Sequence, residues 1–366
     1  METGFYSYER IDETGAQYRM IIGERSNGKT YGALLKILKN YVENNKQSAY
    51  VRRYREDFVG KRGNTLFAAL ESNNVIDELT GGEWNGVYYY AGAWYLCLRD
   101  GQNKPIKDER PFCYGFALND VEHDKSTSYP DITLVVFDEF LSRKFYLTNE
   151  FVIFMNVLST IIRQRDNVVI YMLGNTVSKY APYFNEMGID RIKDMVQGQI
   201  DIYKYGDSNL TVAVEYAEAI DDSIKASKDY FAFDNPSLSM ITHGEWEFDL
   251  YPHMIYKYRP KDVKIYYFIE FDDELLQCEV IKNEEGVFTF IHRKTTEIKN
   301  KKDIVFTTRT DANPYHFRRI TKPTNEKTKL ILDLLKAEKV FFQDNSVGET
   351  LRNYLNWCNK TDLFRN

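Results

Sequence analysis

The stretch Gly23-Glu24-Arg25-Ser26-Asn27-Gly28-Lys29-Thr30 constrains this chain more than any other. It follows the run QYRMII at 17–22 and precedes residues 30–43, where Leu34, Leu35, Ile37, Leu38 and Tyr41 recur at helical spacing. A strand, a glycine loop and an amphipathic helix, in that order, are the setting in which a G-x-x-x-x-G-K-[ST] motif holds a polyphosphate. The glycines let the backbone curl so that its N–H groups point inward, and the helix start adds the positive end of its dipole. Lys29 then supplies a point charge to the β and γ phosphates, and the Thr30 hydroxyl can ligate Mg²⁺. All eight residues are candidate nucleotide contacts.

A second signal lies downstream. Thr133-Leu134-Val135-Val136-Phe137-Asp138-Glu139 is an apolar, buried-type strand ending on two acids. Beside a phosphate loop, Asp138 can hold the hydration shell of Mg²⁺, and Glu139 can polarise an attacking water. The Asp-Glu pair separates the chain from nucleotide kinases and small GTPases, and points to the ATPases with an extra strand and a catalytic glutamate (the ASCE class). Asn175 follows another apolar run, 167–173. There it can sense the γ phosphate and the water, or serve as a turn Asn tolerant of left-handed backbone. Three basic sites could stabilise charge in the transition state. They are Arg25 in the loop itself, Arg163 and Arg165 in IIRQRDN, and Lys125 in HDKSTSYP. A cation at a helix C-terminus is also favoured by the dipole, which is the plainer reading of Arg163 and Arg165.

Short apolar runs at 17–22, 48–54, 131–137, 167–173 and 199–205 alternate with helical patterns at 30–43 and 150–163, which predicts a parallel α/β sheet. Residues 66–115 read as a β-hairpin insertion or a further strand beside that core. From about 206 the pattern changes, and 216–247 is polar and acidic with Asn235-Pro236. Strand-like alternation then fills 253–308, with helical patterns at 325–340 and 347–358. The expected domains are therefore 1–207, a linker at 208–250, and an α+β domain at 251–366.

The net charge of −6 argues against a dedicated nucleic-acid binder, but it is unevenly spread. Residues 251–366 hold 21 Lys and Arg against 17 Asp and Glu, and 291–330 alone hold 11 against 4. That stretch is either a phosphate-facing surface or a solvated face. Cys97, Cys113, Cys278 and Cys358 form no C-x-x-C pair, so neither zinc nor a disulfide framework is expected, and a reducing cytoplasm suits them. No apolar run approaches the roughly 20 residues of a membrane span.

Together these pieces resemble a known family, the DNA-packaging (encapsidation) ATPases of small podoviruses of the Picovirinae kind. The resemblance rests on GERSNGKT, AYVRRY, KSTSYPDITLVVFDEF, IIRQRDNVVIYMLGNTVSKYAPYF and YHFRR, in that order across most of the chain. It implies an ASCE ATPase domain, a small linker domain and a C-terminal domain like a degenerate RNase H-type nuclease. It also implies ATP and Mg²⁺ as ligands, and a homopentameric ring on the portal vertex of a procapsid in the host cytoplasm, driving double-stranded DNA inward. A structural RNA scaffold stands among the partners it leaves open. By the same resemblance Arg163 is a trans-acting arginine, Lys125 a second trans-acting cation, and Arg25 matches a loop arginine of larger terminases. A working nuclease needs several converging carboxylates. Glu270, Asp272, Asp273 and Glu274 are nearly consecutive, so a strand would send them to opposite faces, and a non-cleaving domain is expected. A helicase-type remodelling ATPase is the rival reading, but further helicase motifs are not found. A non-hydrolysing ring protein is disfavoured by the intact Glu139.

Overall fold

The structure, a computed structural model, describes residues 6–99, 104–123, 128–142, 146–147, 149–176, 181–218, 251–255, 257–271, 274–309 and 313–360. The chain divides into two compact units, Met1–Glu247 and Phe248–Asn366.

The first unit is built on one sheet. Its strands among the described residues are β1 Tyr18–Gly23, β2 Gln47–Arg52, β3 Gly86–Tyr90, β4 Ala93–Leu98, β5 Ile106–Lys107, β6 Cys113–Ala117, β7 Ile132–Asp138, β8 Val169–Asn175, β9 Ile200–Lys204 and β10 Thr211–Tyr216. The order is β3-β4-β6-β2-β7-β8-β1-β10-β9, with β5 paired to β4. From β6 to β10 all neighbours are parallel. Both faces of that parallel core are buried, as such sheets require. Successive residues alternate between the faces: Met20 and Ile22 join Val135, Phe137, Ile170 and Met172 under the helix Glu150–Ile162. Ile21 joins Leu134, Val136, Tyr171 and Leu173 under the helix Lys29–Asn44. The strand β8 lies between β1, which leads into the phosphate loop, and β7, which carries the acids. That is the extra strand expected of the ASCE class, and the α/β expectation holds.

Two expectations change in this unit. The run 199–205 forms β9, but as an antiparallel edge strand, while the parallel neighbour of β1 on that side is β10. The boundary expected at residue 207 is therefore too early, because β10 supplies Val212 and Val214 to the core. Polar flanks hid this strand, and only pairing with β1 reveals it. The rest of the expected linker, including Asn235-Pro236, lies outside the described residues. The region 66–115 holds both alternatives at once. It contains short helices, a β3–β4 hairpin turning at Ala91 and Gly92 with φ 50° and 80°, and β6, which joins the core beside β2.

The second unit carries β11 Val263–Phe271, β12 Glu274–Asn283, β13 Gly286–Arg293, β14 Ile304–Thr307, β15 His316–Phe317 and β16 Val340–Phe342. Their order is β15-β14-β11-β12-β13-β16. β11, β12 and β13 form an antiparallel meander, and β14 and β15 add in parallel beside β11. Helices Glu326–Lys336 and Asn345–Lys360 place Ile331, Leu334, Val347, Leu351 and Tyr354 against this sheet. The helix expected to run to 340 stops at 336, because 340–342 pairs with β13. His316, within YHFRR, sits in the short strand β15. Among the described residues no helix is long and apolar enough to cross a membrane, and the four cysteines are buried and form no disulfide.

Candidate nucleotide site

The loop after β1 curls because two residues take left-handed backbone, Ser26 at φ 60° and Gly28 at φ 91°. Gly28 then caps the helix Lys29–Asn44, whose first-turn N–H groups have no acceptor within the helix. An N-terminal segment braces the loop from outside. The Tyr6 amide donates to the Asn27 carbonyl at 2.9 Å, and the Tyr8 hydroxyl to the Lys29 carbonyl at 2.5 Å. Tyr8 lies so close to Gly32 that a Cβ there would meet its ring at 2.7 Å.

Lys29 is buried, and its Nζ donates to the Glu24 carbonyl at 2.7 Å and to Asn27 Oδ1 at 3.0 Å. Burial pulls its ammonium down to about 8, although Asp138 and Glu24 oppose the shift. Asn27 is also buried. Its Oδ1 serves Lys29, while its Nδ2 has no acceptor among the described residues. A buried donor with no partner is costly, and a ligand oxygen at this place would satisfy it.

Register brings the acids to the loop. Gly23 pairs with Asn175, and Leu173 pairs with both Ile21 and Asp138, so three strand ends meet. Thr30 Oγ1 donates to Asp138 Oδ2 at 3.1 Å. One cleft of about 680 Å³ is lined by Ser26, Asn27, Gly28, Lys29 and Thr30 from the loop and by Asp138, Glu139 and Asn175 from the strand ends. Such a volume suits a small-molecule ligand. Tyr6, Tyr31, Leu35, Ala69 and Asn73 line its other walls. These five were missed in sequence because they come from three separate segments. A hydroxyl and a carboxylate converging on a phosphate-type loop are the hard oxygen donors that fit Mg²⁺, which takes one or two protein ligands and completes its shell with phosphates and water.

Glu139 sits in left-handed backbone at φ 58°, a strained place for a residue with a side chain. Two arginines of β2 and its exit hold it there. Arg53 donates to the carbonyls of Glu139 at 3.2 Å and Phe140 at 2.8 Å. It also makes two 2.8 Å bonds to the buried Glu150 carboxylate. Arg52 donates to Glu139 Oε2 at 2.7 Å and lies 3.5 Å from Asp138 Oδ2. The pair is visible in sequence as AYVRRY, but its role needs the β2–β7 register, in which Val51 faces Phe137 and so sets Arg52 level with Asp138.

The other candidates fall elsewhere. Arg25 and Glu24 do not line the cleft; Arg25 is exposed and Glu24 is buried. Lys125 lies outside the described residues. Arg165 is spent on backbone, since its guanidinium donates to the carbonyls of Tyr129, Pro130, Ile161 and Ile132 and so staples the helix end to the start of β7. Arg163 caps the same helix at φ 50°, ψ −116°, and lines a separate cleft of about 440 Å³ with Tyr129 and Pro130. That cleft adjoins the N-terminal end of β7, whereas Asp138 ends the strand, about 20 Å away over seven residues at ~3.3 Å each.

In the second unit Glu270 and Glu274, the described members of the acidic cluster, hold separate partners. Glu270 accepts from Thr307 at 2.9 Å and pairs with Arg309 at 3.1 Å, whereas Glu274 pairs with Arg293 at 3.2 Å. Asp272 and Asp273 lie outside the described residues. Among those described, no three His, Cys, Asp or Glu gather as a metal site.

Comparison with known proteins gives one direction. The profile of the podovirus DNA encapsidation protein family (Gp16) matches residues 103–233, which hold Asp138, Glu139, Arg163 and Asn175. A DNA packaging protein of Bacillus phage B103 is 27% identical over 186 residues, half of each chain. That of Bacillus phage PZA is 24% identical over 330 residues, 86% of this chain and 87% of that one. The bacteriophage phi-29 viral genome packaging motor assembly matches in fold with a TM-score of 0.58 at 19% identity, covering 96% of this chain and 100% of that one. The phi-28 DNA packaging motor matches with a TM-score of 0.56 at 20% identity, covering 98% and 96%. This chain is thus similar to the podovirus DNA encapsidation proteins by family profile over the segment that carries the acidic strand, and in fold to the phi-28 and phi-29 packaging-motor chains over nearly its whole length.

Proposed function

We propose that this protein hydrolyses ATP as a subunit of an oligomeric ring, a pentamer by its resemblance, that drives double-stranded viral DNA through a portal into a procapsid. The observation that carries the reading is the single cleft uniting Lys29, Asn27, Thr30, Asp138, Glu139 and Asn175. In it the loop amides, Lys29 and Asn27 Nδ2 bind the polyphosphate. Thr30 and Asp138 would hold Mg²⁺, which would offset phosphate charge. Asn175 faces the γ phosphate, and Glu139, once released from Arg52, orients the attacking water.

Arg163 cannot serve its own cleft from the far end of β7, so a neighbour's cleft is its proposed target. Its left-handed backbone supplies the test. Arg163→Gly relieves strain and should unfold at slightly higher denaturant, by roughly 1 kcal/mol, yet hydrolyse poorly. Mixing it with Glu139→Gln protein should restore part of the activity, since each supplies what the other lacks at one interface. No rescue in rings shown by mass measurement to mix would remove Arg163 from the shared site.

Lys29 gives a pH signature. Burial lowers its ammonium to about 8, and a bound phosphate would favour the charged form. Affinity for ATP should therefore be level below that value and fall as pH rises through it, by at most about tenfold per unit for one proton. The fall should vanish in Lys29→Arg, whose charge persists. A pH-independent affinity in the wild-type protein would contradict this.

The second unit is read as a non-cleaving, RNase H-like domain. Thr307 stands opposite Glu270 where a second carboxylate would be needed, and Arg309 occupies the acid. The motor reading is tested by phosphate release from the full chain with and without double-stranded DNA. Stimulation, with the DNA left uncut in Mg²⁺ or Mn²⁺, is the expected result. A helicase-type rival would instead separate strands.

A further inference from the structure

Asp138 is the centre of a denser contact set than phosphate-loop chemistry needs. Its Oδ1 accepts from the Glu139 amide at 3.0 Å. Its Oδ2 accepts from Thr30 at 3.1 Å and from the Tyr50 hydroxyl at 2.6 Å, with Arg52 at 3.5 Å. Tyr50 is 2% exposed and stands on β2, one strand away. The hydroxyl is the donor, since a carboxylate oxygen only accepts.

The ring is fixed by the part of the chain that the nucleotide motifs leave unexplained. The Phe58 and Trp94 rings meet Tyr50 edge-on at 6.4 and 6.2 Å. Trp94 is in turn set by Phe67, Phe58 and Tyr89, and its indole N–H donates to the Gly63 carbonyl at 2.8 Å. An insertion of helices and a hairpin between β2 and β6 thus forms an aromatic buttress behind one hydroxyl. That hydroxyl contributes no charge. It can hold Oδ2 beside Thr30 against the pull of Arg52, whose guanidinium is the next donor in line.

We propose that Tyr50 is a positioning residue that fixes the Asp138 carboxylate beside Thr30 so that both face the metal of the nucleotide complex. The inference rests on the nucleotide reading above. Without the hydroxyl, Asp138 turns toward Arg52 and the metal loses a ligand direction, while the phosphate loop is untouched.

The test uses the full-length protein and a fluorescent ATP analogue titrated with Mg²⁺. Tyr50→Phe keeps the ring and removes only the hydroxyl. Nucleotide affinity without metal should match wild type, while the Mg²⁺ concentration for half-maximal tightening should rise about tenfold or more, the usual cost of losing a partner that orients a metal ligand. Trp94→Phe weakens the packing without touching Asp138. It should lower the melting temperature and shift the Mg²⁺ half-point far less than Tyr50→Phe does. An unchanged half-point in Tyr50→Phe overturns the proposal, whether or not its melting temperature falls. So does an equal shift in Trp94→Phe, which would make the effect one of packing. If wild-type protein shows no Mg²⁺-dependent nucleotide binding, the nucleotide reading itself fails, and the two failures are told apart.

Discussion

In Glu139→Gln protein, ATP still binds and steady-state phosphate release falls by about 10²–10⁴, the range that a positioned general base contributes. Binding survives because the polyphosphate contacts come from the loop, Lys29 and Asn27, none of which the substitution touches. Turnover falls because a neutral amide cannot draw charge from the water. The pairing of Glu139 with Arg52 sharpens the expectation. The carboxylate is held by a cation, so hydrolysis requires that pair to open. The amide of Gln pairs more weakly with Arg52, and its failure to hydrolyse then reports the lost base rather than a trapped side chain. Retained ATP affinity with near-wild-type phosphate release would take Glu139 out of the mechanism.

Arg53→Met should cost the first unit about 3–5 kcal/mol, measured as a lower denaturant midpoint with unchanged slope, because it strands Glu150 as a buried, unpaired charge. Glu150 is fully shielded from water, and Arg53 nearly so. Besides the two bonds from Arg53, its carboxylate accepts from the Tyr183 hydroxyl and the Leu147 amide. Arg53 also pins the strained turn at Glu139 through two carbonyls, so its loss frees the catalytic backbone as well as the core. The exposed pair Arg110–Asp131 is the contrast, since both side chains are about two-fifths exposed. Breaking it should cost less than about 1 kcal/mol, because solvent screens both charges. Equal effects at the two sites would show that the Arg53–Glu150 pair is not the anchor its burial makes it.

Much of the nucleotide site was legible along the chain because its chemistry is local. The phosphate loop is eight consecutive residues, and Asp138 and Glu139 are adjacent at the end of an apolar run. Spacing therefore marks the candidates for binding and hydrolysis, and the alternation of strands and helices specifies a parallel sheet. The partners of those residues are not local. Tyr50, Arg52 and Arg53 reach Asp138, Glu139 and Glu150 across 88, 87 and 97 residues, and only the pairing of β2 with β7 brings them together. The same holds for β10, whose place beside β1 moved the first unit past residue 207. Arg163 and Arg165 are two residues apart and look alike in sequence. The fold separates them, because one guanidinium is consumed by five main-chain carbonyls and the other residue takes the strained backbone at the helix end. Sequence by itself determined the candidate reacting groups, since covalent neighbours share a loop or a strand end. Tertiary structure decided what holds and aims them, since hydrogen bonds and burial depend on register between strands that lie far apart in the chain.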